Sequence, residues 1–357
     1  MTMKEILEEI IDLIRRDERG AVASIVSASG SLPMSRRSKM LTMPDGSQRG
    51  TVGGGCLEAD VHAMGRKVIG SGEAAWQRFT LTESQAGADG LNCGGTVEIL
   101  IEPVGGLHGV AHAEIYRRTL AALRAKEETV LATVVSAAPG ALILGKGLVG
   151  WKGLRIGWGR LGGDEFLTQL AVEEGLAILG QDRAAVITAP GGERIFLETV
   201  SAPPTLYLFG GGHVSLSVAR VARTAGFRVV VIDDRPAFAN KERFPEADET
   251  LVLPMETALS HLPIDRNAFI VAVTRGHQHD EPVIEQAIRS PAFYIGMIGS
   301  RRKVAILWER LKARGATQED LDRVHAPIGL SIGADTPGEI AVSIVAQLIS
   351  ARRLGKG

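Results

Sequence analysis

Three consecutive glycines, Gly210-Gly211-Gly212, follow the apolar run Leu206 to Phe209 and are followed by His213-Val214-Ser215, which opens a stretch of helical spacing. This constrains the fold more than any other feature of the chain. Glycines at the junction of a buried strand and a helix allow a tight turn and a close approach of backbone to a ligand. The spacing fits G-x-G-x-x-[G/A], with the small Ser215 in the last place, so strand and helix can pack closely. Asp233 lies 23 residues beyond Gly210, at the end of the next apolar run, where a carboxylate can accept from a ribose hydroxyl. Backbone N–H groups at the helix start face a phosphate, and the helix dipole favours negative charge there. A glycine turn that closes tightly without any ligand is the competing use.

Around this turn, continuous apolar runs alternate with helices, the pattern of a parallel sheet covered on both faces. Strands are expected at Leu206 to Phe209, Arg228 to Ile232, Glu249 to Leu253, Ala268 to Val273 and Phe293 to Met297. Helices are expected at about 214 to 225, 280 to 289, 301 to 313 and 338 to 352. The fold class is therefore α/β, with a C-terminal Rossmann-like domain preceded by a mixed α+β N-terminal domain. Ser201-Ala202-Pro203-Pro204 is the best linker, giving domains of residues 1–201 and 202–357.

The N-terminal part opens with an amphipathic helix, Ile6, Leu7, Ile10, Ile11, Leu13 and Ile14 at i, i+3, i+4, i+7 spacing, which Gly20 is expected to end. Strands follow at Ala21 to Ser29, Lys39 to Met43 and Gln48 to Val52, the last two joined by a hairpin turn at Pro44-Asp45-Gly46-Ser47. Gly53-Gly54-Gly55 leads into a helix from Cys56 to Ile69, and Thr96 to Val104 is a strand ended by Pro103 and Gly105-Gly106. Residues 106–200 carry no chemical signature: a helix at 113–126, strands at Thr129 to Ser136 and Ala141 to Leu144 joined at Pro139-Gly140, and strands at Ala184 to Ala189 and Ile195 to Val200.

Composition excludes several function classes. Lys plus Arg number 40 against 41 Asp plus Glu, a formal charge of -1, so no global basic field recommends nucleic acid or an anionic membrane surface. The longest stretch without a charged residue, Thr199 to Ala219, contains Pro203, Pro204 and the three glycines, which argues against a membrane-spanning helix. Residues 1–19 interleave charge with apolar positions, unlike a signal peptide. Cys56 and Cys93 are the only cysteines, without C-x-x-C spacing, so a reducing, cytoplasmic setting is expected.

Further constellations sit at the expected carboxyl edge of the sheet, where open α/β sheets bind ligands. Thr274-Arg275-Gly276-His277-Gln278-His279-Asp280 brings together an arginine and two imidazoles, with Asp280 expected to cap the following helix; His277 and His279 alone do not make a zinc site. Gly299-Ser300-Arg301-Arg302-Lys303 places positive side chains at a helix start, where they oppose the dipole, so a bound anion would relieve a local cost; a solvated basic turn is the alternative. Thr336-Pro337-Gly338-Glu339 reads as a capping box. In the N-terminal part, Cys56 and Cys93 both stand beside glycine turns, Gly53-Gly54-Gly55-Cys56 and Cys93-Gly94-Gly95, as either buried fillers or soft ligands and nucleophiles.

Together these motifs resemble the xanthine dehydrogenase accessory factor family, XdhC/CoxI. In the N-terminal half the resemblance rests on Gly30-Ser31, Pro33, Lys39-Met40-Leu41, Gly50 to Glu58 and Cys93-Gly94-Gly95. In the C-terminal half it rests on Phe209 to His213, Asp233-Asp234-Arg235, Thr274 to His277, His279-Asp280, Ile298 to Lys303 and Ile332 to Pro337. One departure is Met34 and Arg37 where the family commonly has an arginine and a glycine, so that Arg36 or Arg37 is left to supply the charge.

The resemblance implies a chaperone, not an enzyme. It would hold molybdenum cofactor while a cysteine desulfurase supplies a terminal sulfido ligand, then deliver it to an apo molybdenum hydroxylase of the xanthine dehydrogenase type. The cofactor is a pterin with a dithiolene and a phosphate, often extended as a dinucleotide. Gly210, Gly211, Gly212, His213, Asp233, Arg301 and Arg302 would serve its phosphate and ribose, Cys56 or Cys93 its molybdenum, and Arg275, His277, Gly299 and Ser300 would also line the cofactor site. A homodimer is the default expectation. The competing readings are an NAD-dependent oxidoreductase with His213 or His277 as general acid, and a nucleotide-sensing scaffold whose cysteines only fill the core.

Overall fold

The computed structural model describes residues 1–29, 38–80, 95–137, 143–150, 161, 164–181 and 183–354. The chain divides into two compact units, Met1–Ala202 and Pro203–Gly357. No helix among the described residues is long and apolar enough to cross a membrane.

The N-terminal unit begins with helix α1 (Met3–Arg15), whose Thr2 and Glu5 form a capping box. Strands β1 (Arg19–Ser29), β2 (Lys39–Thr42) and β3 (Gln48–Gly50), helix α2 (Gly55–Ser71), and strands β4 (Ala75–Thr80) and β5 (Thr96–Gly105) follow. The strands form an antiparallel sheet in the order β3-β2-β1-β5-β4. Helix α3 (Gly106–Arg124), strands β6 (Thr129–Val135) and β7 (Ile143–Gly150), helix α4 (Glu165–Ile178), and strands β8 (Ala184–Thr188) and β9 (Arg194–Val200) build a second antiparallel sheet, β7-β6-β9-β8.

Two expectations here are corrected. Gly20 does not end α1, which closes at Arg16 and reverses through Asp17 at φ 54°; Gly20 lies inside β1. A Cβ at Gly20 would come within 2.7 Å of Leu13 Cδ1 and 3.0 Å of the Thr42 carbonyl, so this glycine serves close packing and not chain reversal. Pro103 does not stop β5: it pairs with Ala21, and β4 has already run out at the Ala75–Ile101 pair, so no ladder on that side needs the missing N–H. Helix α3 starts earlier than expected and β7 runs further, while β4 and α4 had no clear signal; the Pro139-Gly140 turn lies outside the described residues.

Two buried ion pairs tie the first sheet to the second. Lys146 on β7 reaches Glu102 on β5 at 2.7 Å and donates to Thr133 Oγ1 on β6 at 2.7 Å. Lys39 on β2 pairs with Glu198 on β9 at 2.9 Å and donates to Ser24 on β1 at 2.6 Å.

The C-terminal unit comprises β10 (Thr205–Phe209), α5 (His213–Thr224), β11 (Arg228–Asp233), β12 (Glu249–Val252), β13 (Ala268–Ala272), α6 (His277–Ala287), β14 (Tyr294–Met297), α7 (Arg301–Ala313), the short α8 (Gln318–Asp322), β15 (Val324–His325) and α9 (Pro337–Leu354). Its six strands are parallel in the order β12-β11-β10-β13-β14-β15. Alternate residues feed two cores: Tyr207, Phe209, Ile232 and Ile270 pack with α6 and α7, while Leu206, Leu208, Val231 and Val271 pack with α5 and α9. Strand order reverses between β10 and β13, so the crevice of this doubly wound sheet opens at their carboxyl ends.

The buried Lys146–Glu102 pair carries a stability prediction. Lys146→Met leaves Glu102 buried without a counter-charge and should lower stability of the N-terminal unit by about 3–5 kcal/mol. Adding Glu102→Met should recover most of the loss. Urea unfolding checks this, and a double variant no more stable than the single one would contradict it.

Candidate functional site

Both loops at the switch point come from positions the sequence singled out. Gly210 follows β10 at φ 107° and donates its N–H to the Ile232 carbonyl at 2.7 Å. A Cβ on Gly210 would lie 2.5 Å from the Val273 carbonyl oxygen, and one on Gly211 would lie 2.1 Å from that of Phe238. Gly212 differs: nothing lies within 4 Å of an added Cβ. The first two glycines are demanded by packing, and the third leaves the approach to α5 open. Ser215 is buried and donates to the Gly210 carbonyl, which closes strand against helix. Gly212 caps α5 without a side chain, and His213 is exposed at its first position. The early N–H groups of α5 have no carbonyl one turn back, so they can receive an anion.

Asp233 is not the open acceptor that the sequence suggests. It is only 2% exposed, and its oxygens receive the Gly211 N–H at 2.8 Å, the Arg235 N–H at 3.0 Å, and Arg235 Nε and Nη2 at 2.9 and 3.0 Å. Burial alone would raise this carboxyl, but the hydrogen bonds from Arg235 and Gly211 outweigh it and hold the pKa at about 2. Arg235 lies with its guanidinium 3.5 Å from the Phe238 ring centre, and Arg243 donates Nε to the Gly211 carbonyl at 2.8 Å. The roles of Arg235, Phe238 and Arg243 escaped the sequence reading. Only Arg235 carried a signal, a basic residue two places after a strand-ending aspartate, where an Asx-type turn is common.

After β13, Arg275 is exposed and donates Nη2 to Asp234 at 3.0 Å and Nε to His279 Nε2 at 3.0 Å. His277 occupies the first position of α6, and its side chain lies outside the described residues. Asp280 is not an N-cap: α6 begins at His277 with Gly276 as its cap, and the Asp280 carboxylate accepts from Thr274 Oγ1 at 2.6 Å. Pro282 sits in the second turn of α6. Among the described residues no group of three or more His, Cys, Asp or Glu could hold a metal ion.

After β14, Gly299 leads to Ser300, which caps α7 by accepting from the Lys303 N–H at 3.4 Å. Arg301, Arg302 and Lys303 are exposed, with no acidic residue in that first turn. Thr336 and Glu339 form the expected reciprocal cap of α9, with Glu339 accepting from the Thr336 N–H at 2.9 Å and its own N–H donating to Thr336 Oγ1 at 3.3 Å.

In the N-terminal unit, Gly53, Gly54 and Gly55 hold φ of 141°, 94° and 63°, a run that only glycine adopts without strain. This turn delivers Cys56, an exposed free thiol, at the second position of α2. Glu58 one turn along accepts from Thr51 Oγ1 and Gln48 Nε2. The Thr51 hydrogen bond leads in drawing this carboxyl below its usual range, against a burial effect that would raise it. The turn is thus pinned to the end of β3. Cys93, and the Gly30 to Arg37 segment, lie outside the described residues.

Two sequence models match the chain: the XdhC Rossmann domain over residues 206–348 and the XdhC and CoxI family over residues 13–80. The chain is 33% identical over 159 residues to a Bacillus subtilis protein named as a probable xanthine dehydrogenase subunit, covering 44% of this chain and 46% of that protein. It is 22% identical over 147 residues to the molybdenum cofactor insertion chaperone PaoD of Escherichia coli, covering 41% of this chain and 40% of the relative. The match therefore spans less than half the length of each of these relatives. A crystal structure of a xanthine dehydrogenase from Bacillus halodurans superposes with a TM-score of 0.77 at 25% identity, covering 100% of this chain and 97% of that one.

The Asp233 geometry makes a pH prediction. Because the folded carboxyl titrates near 2 against 3.8 unperturbed, its contribution is full above about pH 4 and is lost as pH falls toward 2. At about 1.4 kcal/mol per pKa unit, this comes to roughly 2 kcal/mol. The stability difference between the native protein and Asp233→Asn should shrink by about that amount across this window, followed by denaturant unfolding at stepped pH. A difference independent of pH would contradict the assignment.

Proposed function

We propose that this chain, which belongs to the XdhC and CoxI family, is a carrier of molybdenum cofactor. It binds the cofactor, holds it while a cysteine desulfurase places a terminal sulfido ligand on the metal, and hands it to an apo-hydroxylase of the xanthine dehydrogenase type. The family and the name of the relative PaoD support an accessory role and a link to this cofactor. The sulfuration and delivery steps are our reading of the site.

The observation that carries the proposal is the pairing, on one chain, of an open phosphate-type turn with an exposed thiol at a helix start. Each unit offers one half of the chemistry the cargo presents. In the C-terminal unit, the first turn of α5 beside Gly212 would take the phosphate, and Arg301 and Arg302 at the start of α7 would add charge-assisted contacts. In the N-terminal unit, Cys56 is a soft donor suited to molybdenum or its sulfur. Cys93 is assigned the same role from its place in Cys93-Gly94-Gly95.

Activation of an apo-hydroxylase by the purified, cofactor-loaded chain tests the proposal. Cys56→Ala with Cys93→Ala should leave folding intact and reduce activation at least about tenfold, as expected for loss of a direct ligand contact. Full activation by the double variant would refute the thiol role. Gly212→Ala should fold as the native protein does, since nothing crowds that position, yet retain less cofactor. Arg301→Ala with Arg302→Ala should likewise retain less, and unchanged retention in that variant would remove α7 from the site.

A further inference from the structure

We infer that Arg235 sets the ligand class of the Rossmann crevice: by closing both oxygens of Asp233 it removes the acceptor that a ribose diol requires, so the crevice takes its ligand by phosphate and rejects NAD. This rests on the reading that the crevice holds the phosphate of the cargo, and it names how that ligand is chosen.

A carboxylate offers about four acceptor positions. At Asp233 these are matched by four donors, the N–H groups of Gly211 and Arg235 and two guanidinium N–H groups of Arg235. A ribose diol arriving from the crevice brings two more O–H donors and finds no lone pair left. Binding would first have to break a bidentate, charge-assisted pair.

Arg235 is also braced against leaving. Its carbonyl accepts the Phe238 N–H at 2.9 Å and the Ala239 N–H at 3.2 Å, which folds the segment back so that the Phe238 ring lies 3.5 Å from the guanidinium. The same segment rests on the glycine turn, since the Phe238 carbonyl is the atom a Cβ on Gly211 would strike. Arg243 approaches the other way, 5.1 Å from the Phe238 ring centre, and anchors to the Gly211 carbonyl. Opening the pair therefore disturbs the turn itself.

The neighbouring carboxylate gives no substitute. Asp234 faces Arg275 at 3.0 Å and Arg235 at 3.7 Å. Counting these groups, two carboxylates stand among the three guanidiniums of Arg235, Arg243 and Arg275. The one positive charge left over suits a phosphate, while a ribose diol still meets no free carboxylate oxygen.

The test is calorimetric binding of NAD and ADP-ribose to the full chain, native and as Arg235→Leu, Arg235→Lys and Arg235→Leu with Asp233→Asn, with thermal unfolding to confirm folding. The native protein should show no binding up to about 1 mM, a free energy no better than about -4 kcal/mol. Arg235→Leu should bind at least about tenfold more tightly once the carboxylate is released, and the double variant should lose that gain. Arg235→Lys keeps a charge beside Asp233 but not the two-pronged contact, and should fall between, so it preserves the test if Arg235→Leu fails to fold. Native binding of NAD in the micromolar range would overturn the inference, as would a folded Arg235 variant without gain.

Molybdenum and pterin content of the native protein is measured in parallel. Cargo present without a gain in NAD binding rejects the Arg235 role alone. The gain without cargo rejects the carrier reading and leaves the ligand-class assignment standing.

Discussion

The carboxylate of Asp233 holds the end of β11, the glycine turn after β10 and the Arg235 segment together through one buried group. Burying a charge is costly unless it is paired and fully hydrogen-bonded, and here both conditions are met within three residues of chain and one glycine. The parallel sheet provides the reason the pieces meet: β10 and β11 are in register from Thr205 with Arg228 to Phe209 with Ile232, so their carboxyl ends finish side by side. The two segments leaving these strand ends must then share a small space. Glycine solves this on the β10 side, and an aspartate–arginine pair solves it on the β11 side.

Much of this was legible in the sequence, because it depends on local signals. The turn at Gly210 to Gly212, the strands on either side and the capping box at Thr336 and Glu339 follow from residue type and spacing alone. The illegible part depends on partners remote in sequence. Asp233 lies where a ribose acceptor belongs, and only the three-dimensional path of Arg235, under the Phe238 ring, turns it inward. Gly20 resembles a helix stop, yet its small size serves contacts with Leu13 and Thr42. Asp280 resembles an N-cap, yet Thr274 claims it one loop earlier. In each case the residue type was informative and its partner was not.

The N-terminal unit obeys a different logic. Its two antiparallel sheets leave charged residues between them, and Lys146 with Glu102 and Lys39 with Glu198 satisfy one another where apolar contacts alone would have sufficed for stability. Upon that platform the Gly53 to Gly55 turn presents Cys56 at the start of α2, with Glu58, Thr51 and Gln48 fixing the turn from behind. In the C-terminal unit the carboxylate that ends β11 is internally satisfied, by Arg235 and the Gly211 N–H.

The most direct measurement is the molybdenum and pterin content per chain after purification from cells that make the cofactor, by elemental analysis and by fluorescence of the oxidised pterin. The account predicts both in equal amounts, approaching one of each per chain. Protein that emerges with neither, from cells shown to hold the cofactor, would contradict it.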